Sequence, residues 1–280
     1  MHLDVSLLAV LAGHLIGNFP FRTEVLKALF TSISFLSNNT PACIKHKSPL
    51  IWILVKALCV SAITWLLLGT WSAWFMAIGV FILNLLIECV KCRISPKVFL
   101  QNQQINNCIN PDHCGTVGFL SGQITQLVAL VLLWMSIYHG AESTNSPAYY
   151  LRFVNVIQYS KLLILISGSV IGIWGVGELL KHQLLPLANG LENKDGDCGI
   201  PKGGRIIGIL ERTFVLIFVI AGQPEAAGFV LATKSVFRIG DLKETQDRTF
   251  AEYIMIGTFC SFAYSFIIAY GTKWLIDHIQ

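Results

Sequence analysis

Long apolar runs alternate with short polar stretches along almost the whole chain. Eight runs are apolar enough to form buried or membrane helices, and they lie at 3–21, 50–68, 72–91, 116–138, 159–180, 206–221, 225–239 and 251–275. A helix needs about 20 apolar residues to cross the hydrocarbon core of a bilayer, and most of the runs are near that length. The pattern predicts an all-α fold, a polytopic transmembrane helix bundle of about eight spans, forming a single integral membrane domain over residues 1–280.

The lysines and arginines between the runs predict how the helices are oriented. Basic residues concentrate in loops 22–49, 92–115, 181–205 and 240–250, whereas the intervening loops carry almost none. Cytoplasmic loops are enriched in Lys and Arg, so this alternation predicts a multi-pass protein with both termini in the periplasm. The seventh run is short and could instead form a re-entrant hairpin with the sixth, turning at Gly222-Gln223-Pro224.

Composition supports a membrane location and favours lipid over nucleic acid as a partner. The chain is 54% hydrophobic and 13% charged, with a mean hydropathy of +0.63, whereas soluble proteins average about 25% charged residues. The net charge of +4 is spread over loops, which suits lipid headgroups and argues against nucleic acid. A zinc site at Cys89, Cys92, Cys108, His113 and Cys114 is conceivable, but Cys89 lies in the third run, so we expect no cofactor.

Five charged side chains fall within or beside the last three apolar runs: Glu211, Arg212, Lys234, Arg238 and Glu252. Charged residues in membrane segments are costly and usually face a protein interior or a wet cavity. The orientation given above places all five in the cytoplasmic third of the membrane. They are expected to form either an ion-pair network that fixes helix packing or a cavity that binds an anionic headgroup, phosphate or carboxylate. A proton relay through Glu211 is a third alternative.

Polar residues also recur at helical spacing in the first, third and fourth runs. Their spacing of three or four residues places each set on one helical face: His14 with Asn18, Asn84 with Glu88 and Lys91, and Gln123 with Gln126. Polar groups in lipid need partners, so these faces are expected to meet inside the bundle.

The last third of the chain carries three motifs, G-x-x-I-G-x-L-E-R at 204–212, K-S-x-x-R at 234–238 and A-E-Y-x-x-I-G-T-x-x-S at 251–261. With them the chain resembles, over most of its length, a bacterial polytopic membrane-protein family described only as a domain of unknown function. The resemblance implies a location in the bacterial inner membrane.

The N-terminal half of that family carries a His/Asp set that suits a divalent metal, and this chain keeps only part of it. His14 and Lys91 match the family, whereas Asn18, Asn84, Glu88 and Gln126 stand where the family has Asp, His, Asp and His. His14 and Glu88 are therefore the only candidate metal ligands that the resemblance leaves.

These observations lead to one leading function and two alternatives. We expect a protein that binds or translocates a small anionic or lipid-headgroup ligand in a cytoplasm-facing cavity. Its expected lining residues are Glu211, Arg212, Lys234, Arg238, Glu252 and Lys91. One alternative is an intramembrane metal-dependent hydrolase or transferase acting on lipid, and the other is a membrane scaffold or effector subunit with a protein partner. Whether the protein is an enzyme stays open at this point.

Overall fold

The chain is helical throughout the part that the structure describes. The structure is a computed structural model, and it describes residues 5–19, 49–69, 74–87, 112–140, 155–189, 203–239 and 247–279. The helices in these ranges are α1 (Val5–Asn18), α2 (Pro49–Leu68), α3 (Trp74–Ile87), α4 (Asp112–Gly140), α5 (Val156–Val170, a π-helical turn at Ile171–Gly175, and Val176–Asn189), α6 (Gly203–Ile220), α7 (Pro224–Ile239) and α8 (Asp247–His278). The predicted all-α fold is confirmed, and each described helix lies over one predicted apolar run.

Three helices are long and apolar enough to cross a membrane, which is consistent with a membrane protein. Their apolar segments are Leu120–Ile137 in α4, Val156–Leu184 in α5 and Glu252–His278 in α8. The described apolar parts of α1, α2 and α3 are shorter, and α7 has 16 residues, which at 1.5 Å per residue is about 24 Å against a hydrocarbon core of about 30 Å. The number of eight spans stays a prediction.

α5 extends beyond the apolar run that predicted it. It continues past residue 180 to Asn189, through a segment whose composition predicted a loop. In this extension the Gln183 side chain donates a hydrogen bond to the Tyr264 hydroxyl at 3.1 Å, and Leu184 packs against Gly257. Contacts with α8 therefore stabilise a helical turn that local composition alone does not favour.

The turn between α6 and α7 has the geometry that its sequence predicts. Gly222 has a φ of +79°, a conformation that glycine adopts without strain. Its N–H bonds to the Val219 carbonyl at 3.1 Å, and the Gln223 N–H bonds to the Phe218 carbonyl at 2.9 Å. These two bonds form a Schellman motif that ends α6, and Pro224 begins α7, where its missing N–H costs nothing. The predicted turn at Gly222-Gln223-Pro224 is confirmed.

The described helices divide into two compact units. The N-terminal unit comprises α1 to α3, α4 from Gly122 and α5 as far as Leu163. α1 and α2 run antiparallel at close range, because Gly13 packs on Thr64 and Gly17 packs on Val60. Two hydrogen bonds join α4 and α5 to this pair: Trp134 Nε1 donates to Ser6 Oγ at 3.0 Å, and Tyr159 Oη donates to the Leu67 carbonyl at 2.5 Å.

The C-terminal unit contains most of α5 together with α6, α7 and α8. α8 packs against both α5 and α6, and α6 packs against α7. A core between α6, α7 and α8 contains Val215, Leu216, Val219, Ala227 and Ala269. Gly168 of α5 allows the Thr272 side chain of α8 to approach its backbone. The single domain expected over residues 1–280 stays a prediction.

Candidate functional site

Arg212 is the one charged side chain that is buried among the residues whose side chains the structure describes, with 7% of its surface exposed. It lies on the buried face of α6 together with Val215, Leu216 and Val219. A helical spacing of three to four residues aligns these four positions. The face that would otherwise be apolar therefore carries a guanidinium into the interior of the C-terminal unit.

The Arg212 guanidinium joins three helices by hydrogen bonds. Its Nε–H donates to the Ile173 carbonyl of α5 at 2.8 Å, and its Nη1 donates to the Ser261 hydroxyl of α8 at 3.3 Å. Ile173 lies in the π-helical turn, where the Val176 N–H bonds to the Ile171 carbonyl five residues earlier. Such a turn interrupts the α-helical ladder and occurs frequently at functional sites. Here a carbonyl of that turn accepts a bond from a side chain of another helix.

Two glycines make room for the guanidinium. A Cβ atom at Gly177 of α5 would lie 2.9 Å from Arg212 Nη2, and a Cβ at Gly208 of α6 would lie 3.0 Å from Nη1. Both distances are shorter than a carbon–nitrogen contact tolerates, so neither position accepts a side chain without a shift of the guanidinium. The two glycines and Arg212 thus form one slot, which we call the guanidinium slot.

The charge of Arg212 has no carboxylate partner within ion-pair distance among the described residues. The neighbouring Glu211 is bonded to Lys234 of α7, with 2.8 Å from Nζ to each carboxylate oxygen. A guanidinium has five N–H donors, and Ile173 and Ser261 use two of them, so three N–H groups of Arg212 have no described acceptor. Glu211, Arg212 and Lys234 together carry a formal charge of −1 + 1 + 1 = +1.

The other predicted site residues are less closely grouped. Glu252 is exposed on α8 and lines an open, largely apolar groove of about 460 Å³ with Met255, Ile256, Phe259 and Cys260. It precedes Ser261 by nine residues, about 14 Å along the helix axis. The structure therefore brings together Glu211 and Lys234, and places Arg212 in its own slot. The side chain of Arg238, and all of Lys91 and Glu88, lie outside the described residues.

Sequence reasoning missed three parts of the site. The Ile173 carbonyl has no signal in the sequence, because a backbone acceptor in a π-helical turn depends on geometry alone. Gly177 gives only an ambiguous signal, since a glycine at helical spacing is also the common signature of close helix packing. Ser261 ends the third C-terminal motif, so the motif itself could have indicated it.

Four residues of the polar faces predicted in the N-terminal half are buried, whereas Gln123 is only partly buried. His14, Asn18, Asn84 and Gln126 are all nearly inaccessible, and the Asn18 amide nitrogen lies 2.7 Å from His14 Nε2. In the described ranges no group of three His, Cys, Asp or Glu side chains is placed to hold a metal ion. The predicted pairing of His14 with Glu88 stays a prediction, because Glu88 is outside those ranges.

Comparison with known proteins finds no matching family model, no similar curated protein and no similar solved structure. The resemblance to a bacterial membrane family, carried by the three C-terminal motifs, therefore stays a prediction.

The Glu211–Lys234 ion pair gives a direct test of how α6 and α7 are held together. Reversing one charge, by Glu211→Lys or Lys234→Glu, places two like charges where the native charged atoms are 2.8 Å apart. Both side chains are partly exposed, so we expect each reversal to cost about 1 kcal/mol. The double reversal should restore most of that loss when the free energy of unfolding is measured in mixed micelles. Additive losses in the double variant would contradict the pair.

Proposed function

We propose that this chain is a bacterial inner-membrane protein that binds a small anionic group at Arg212, on the cytoplasmic side of its C-terminal unit. The ligand is a phosphate or carboxylate, carried by a lipid headgroup or free in solution. One observation carries the proposal: a buried guanidinium that has three N–H groups without an acceptor and no carboxylate partner among the described residues.

The energetic reason lies in the cost of a buried charge. Removing a cation from water costs several kcal/mol unless an opposite charge and hydrogen bonds compensate. Ser261 and the Ile173 carbonyl are neutral acceptors, so they satisfy donors without neutralising the charge. A bound anion supplies the negative charge that neutralises Arg212, which these two neutral partners do not.

The free part of the guanidinium also has the right shape for such a ligand. With Nε and one N–H of Nη1 engaged, the remaining donors are one N–H on Nη1 and two on Nη2. Two parallel N–H groups at one end of the fork match two oxygens of one phosphate or carboxylate. Lys234 of α7 adds a second cation to the same unit and is already held by Glu211.

The proposal is tested by comparing stability in lipid discs of different charge. The purified protein is placed in neutral phosphatidylcholine discs and in discs that also contain phosphatidylglycerol, and Tm is measured in each. A ligand at 100 times its Kd stabilises the folded state by about 2.7 kcal/mol, so the anionic discs should raise Tm by several degrees. Adding inorganic phosphate to neutral discs distinguishes a free anion from a headgroup. An equal Tm in all three conditions would contradict the proposal.

A further inference from the structure

A second polar cluster lies in the N-terminal unit, away from any charged side chain that the structure describes as buried. His14, Asn18, Asn84 and Gln126 are almost fully buried there. Four of their polar atoms have no hydrogen-bond partner: Asn18 Oδ1, Asn84 Oδ1, and both Oε1 and Nε2 of Gln126. Buried polar atoms are almost always bonded in folded proteins, so four atoms without a partner among the described residues indicate an occupant beyond those residues.

The four side chains extend from one hydrophobic core. Val10, Val80 and Leu130 belong to that core, and His14, Asn84 and Gln126 each lie four residues, about one helical turn, from one of them. Asn84 is the sole buried residue of α3 beyond Val80, and Gln126 shares the buried stripe of α4 with Leu130. The polar residues therefore continue the inward stripes of α1, α3 and α4.

Contacts between the helices indicate where these buried stripes lie along the helix axes. The Trp134 indole bonds to Ser6, and Gln126 and His14 are each eight residues, about 12 Å, from that bond. α1 is antiparallel to α2, because Gly13 packs on Thr64 and Gly17 packs on Val60. Gly79 of α3 packs on Leu133 of α4, and Asn84 and Gln126 are five and seven residues from that contact. An antiparallel crossing of α4 with α1 and α3, which alternating spans predict, places all four polar side chains at the same end of the core.

The chemistry of the unmet atoms selects the kind of occupant. Three are amide carbonyl oxygens, which accept hydrogen bonds, and one is an amide nitrogen, which donates. The Asn84 orientation is fixed because its amide nitrogen donates to the Val80 carbonyl at 2.9 Å. None of the four side chains is a carboxylate, so a bound cation would carry an uncompensated charge in the interior. An uncharged donor fits these acceptors without that cost.

We propose that α1, α3 and α4 enclose a neutral polar pocket that binds hydroxyl groups, either of internal water or of a neutral polyol such as glycerol. The amide oxygens of Asn18, Asn84 and Gln126 accept hydrogen bonds from these hydroxyls, and the Gln126 amide nitrogen donates one in return. The pocket is independent of anion binding at Arg212, since it rests on other residues in the other unit.

X-ray radiolysis of the full-length protein in glycerol-free discs tests this pocket. X-rays generate hydroxyl radicals from each water molecule at its own position, including inside the protein. A buried side chain is therefore oxidised where water lies beside it. His14 is 1% exposed and Met76, in the dry core of the same unit, is 2% exposed. We expect mass spectrometry to find oxidised His14 and intact Met76, although methionine is the more reactive side chain. Absence of His14 oxidation in the native protein would overturn the proposal.

Two matched variants on α4 locate the occupant. Gln126→Leu replaces the unpaired amide by an apolar group of similar size, so oxidation of His14 should be lost. Gln123 lies three residues earlier and is only partly buried. Gln123→Leu makes the same change outside the pocket, so oxidation of His14 should persist. If Gln126→Leu does not fold, Asn84→Leu serves the same purpose. Unchanged oxidation of His14 in the folded pocket variant would contradict the assignment.

Two further measurements identify what is bound. Glycerol added to the native protein protects His14 from oxidation if a polyol occupies the pocket, and leaves the oxidation unchanged if the occupant is water. A stoichiometric divalent metal that is lost in His14→Ala would overturn the proposal, because the occupant would then be a cation and not an uncharged hydroxyl donor.

Discussion

Arg212→Met is expected to remove the stabilisation that anionic lipid gives the native protein, while leaving stability in neutral lipid nearly unchanged. The substitution loses the bonds to Ile173 and Ser261, but it also removes a buried cation that has no carboxylate partner among the described residues. Exchanging buried ions for apolar side chains of similar size is often neutral or stabilising. At saturating ligand, the loss in anionic discs should approach the linked stabilisation of about 2.7 kcal/mol.

Two other substitutions on α6 and a comparison between lipids make this result specific. Arg205→Met is the same change at an exposed position of the same helix, and it should leave the preference for anionic lipid intact. Arg212→Lys keeps the charge but loses the planar fork, so it should retain part of the preference. If Arg212→Met loses the same stability in neutral and anionic discs, Arg212 acts only as a structural clasp between α5, α6 and α8.

Gly13→Ala is expected to destabilise the N-terminal unit although it adds a single methyl group. A Cβ at this position would lie 2.8 Å from the Thr64 backbone Cα, and backbone cannot move aside as a flexible side chain does. Overpacking of this kind costs about 1–3 kcal/mol. The measurement is the free energy of unfolding in mixed micelles, with the hydrogen-exchange protection of α1 as a local readout.

Gly228→Ala is the matched control for that substitution. Gly228 lies inside α7 with no atom within 4 Å of an added Cβ, so alanine there meets open space. Alanine also favours the helix by up to about 1 kcal/mol over glycine. We expect unchanged or slightly raised stability, and equal destabilisation at both glycines would indicate that helix propensity and not the contact of α1 with α2 decides the effect.

Hydrophobic runs were sufficient to locate the helices, because burial of apolar faces determines where helices form. The Gly222-Gln223-Pro224 turn was also predictable, since its glycine conformation and proline position follow local rules. The end of α5 was not. Its last turns depend on Gln183 and Leu184 contacting α8, and residues so far apart in sequence give no local signal of their contact.

The sequence indicated which residues belong to the candidate site, but not which of them contact one another. Charge in apolar runs identified Arg212, Glu211 and Lys234 correctly as unusual, and depth along the helices suggested that they converge. Depth does not fix the direction in which a side chain points around the helix. Glu211 and Arg212 are adjacent in sequence, yet about 100° apart around α6, and this angle directs one toward Lys234 and the other into the guanidinium slot.

The π-helical turn at Ile171–Gly175 adds one residue to α5 between two packed surfaces. Gly168 contacts α8 before the turn, and Gly177 borders Arg212 after it. The wide turn takes up one more residue than an α-helical turn does, so the helix keeps nearly the same phase on either side. Deleting one residue from the turn should therefore close the ladder as a regular α-helix, while Gly177 still borders the guanidinium and Gln183 and Leu184 still face α8. The Ile173 carbonyl would then accept a bond within the helix, so Arg212 would lose one of its two acceptors while the packing of α5 is kept.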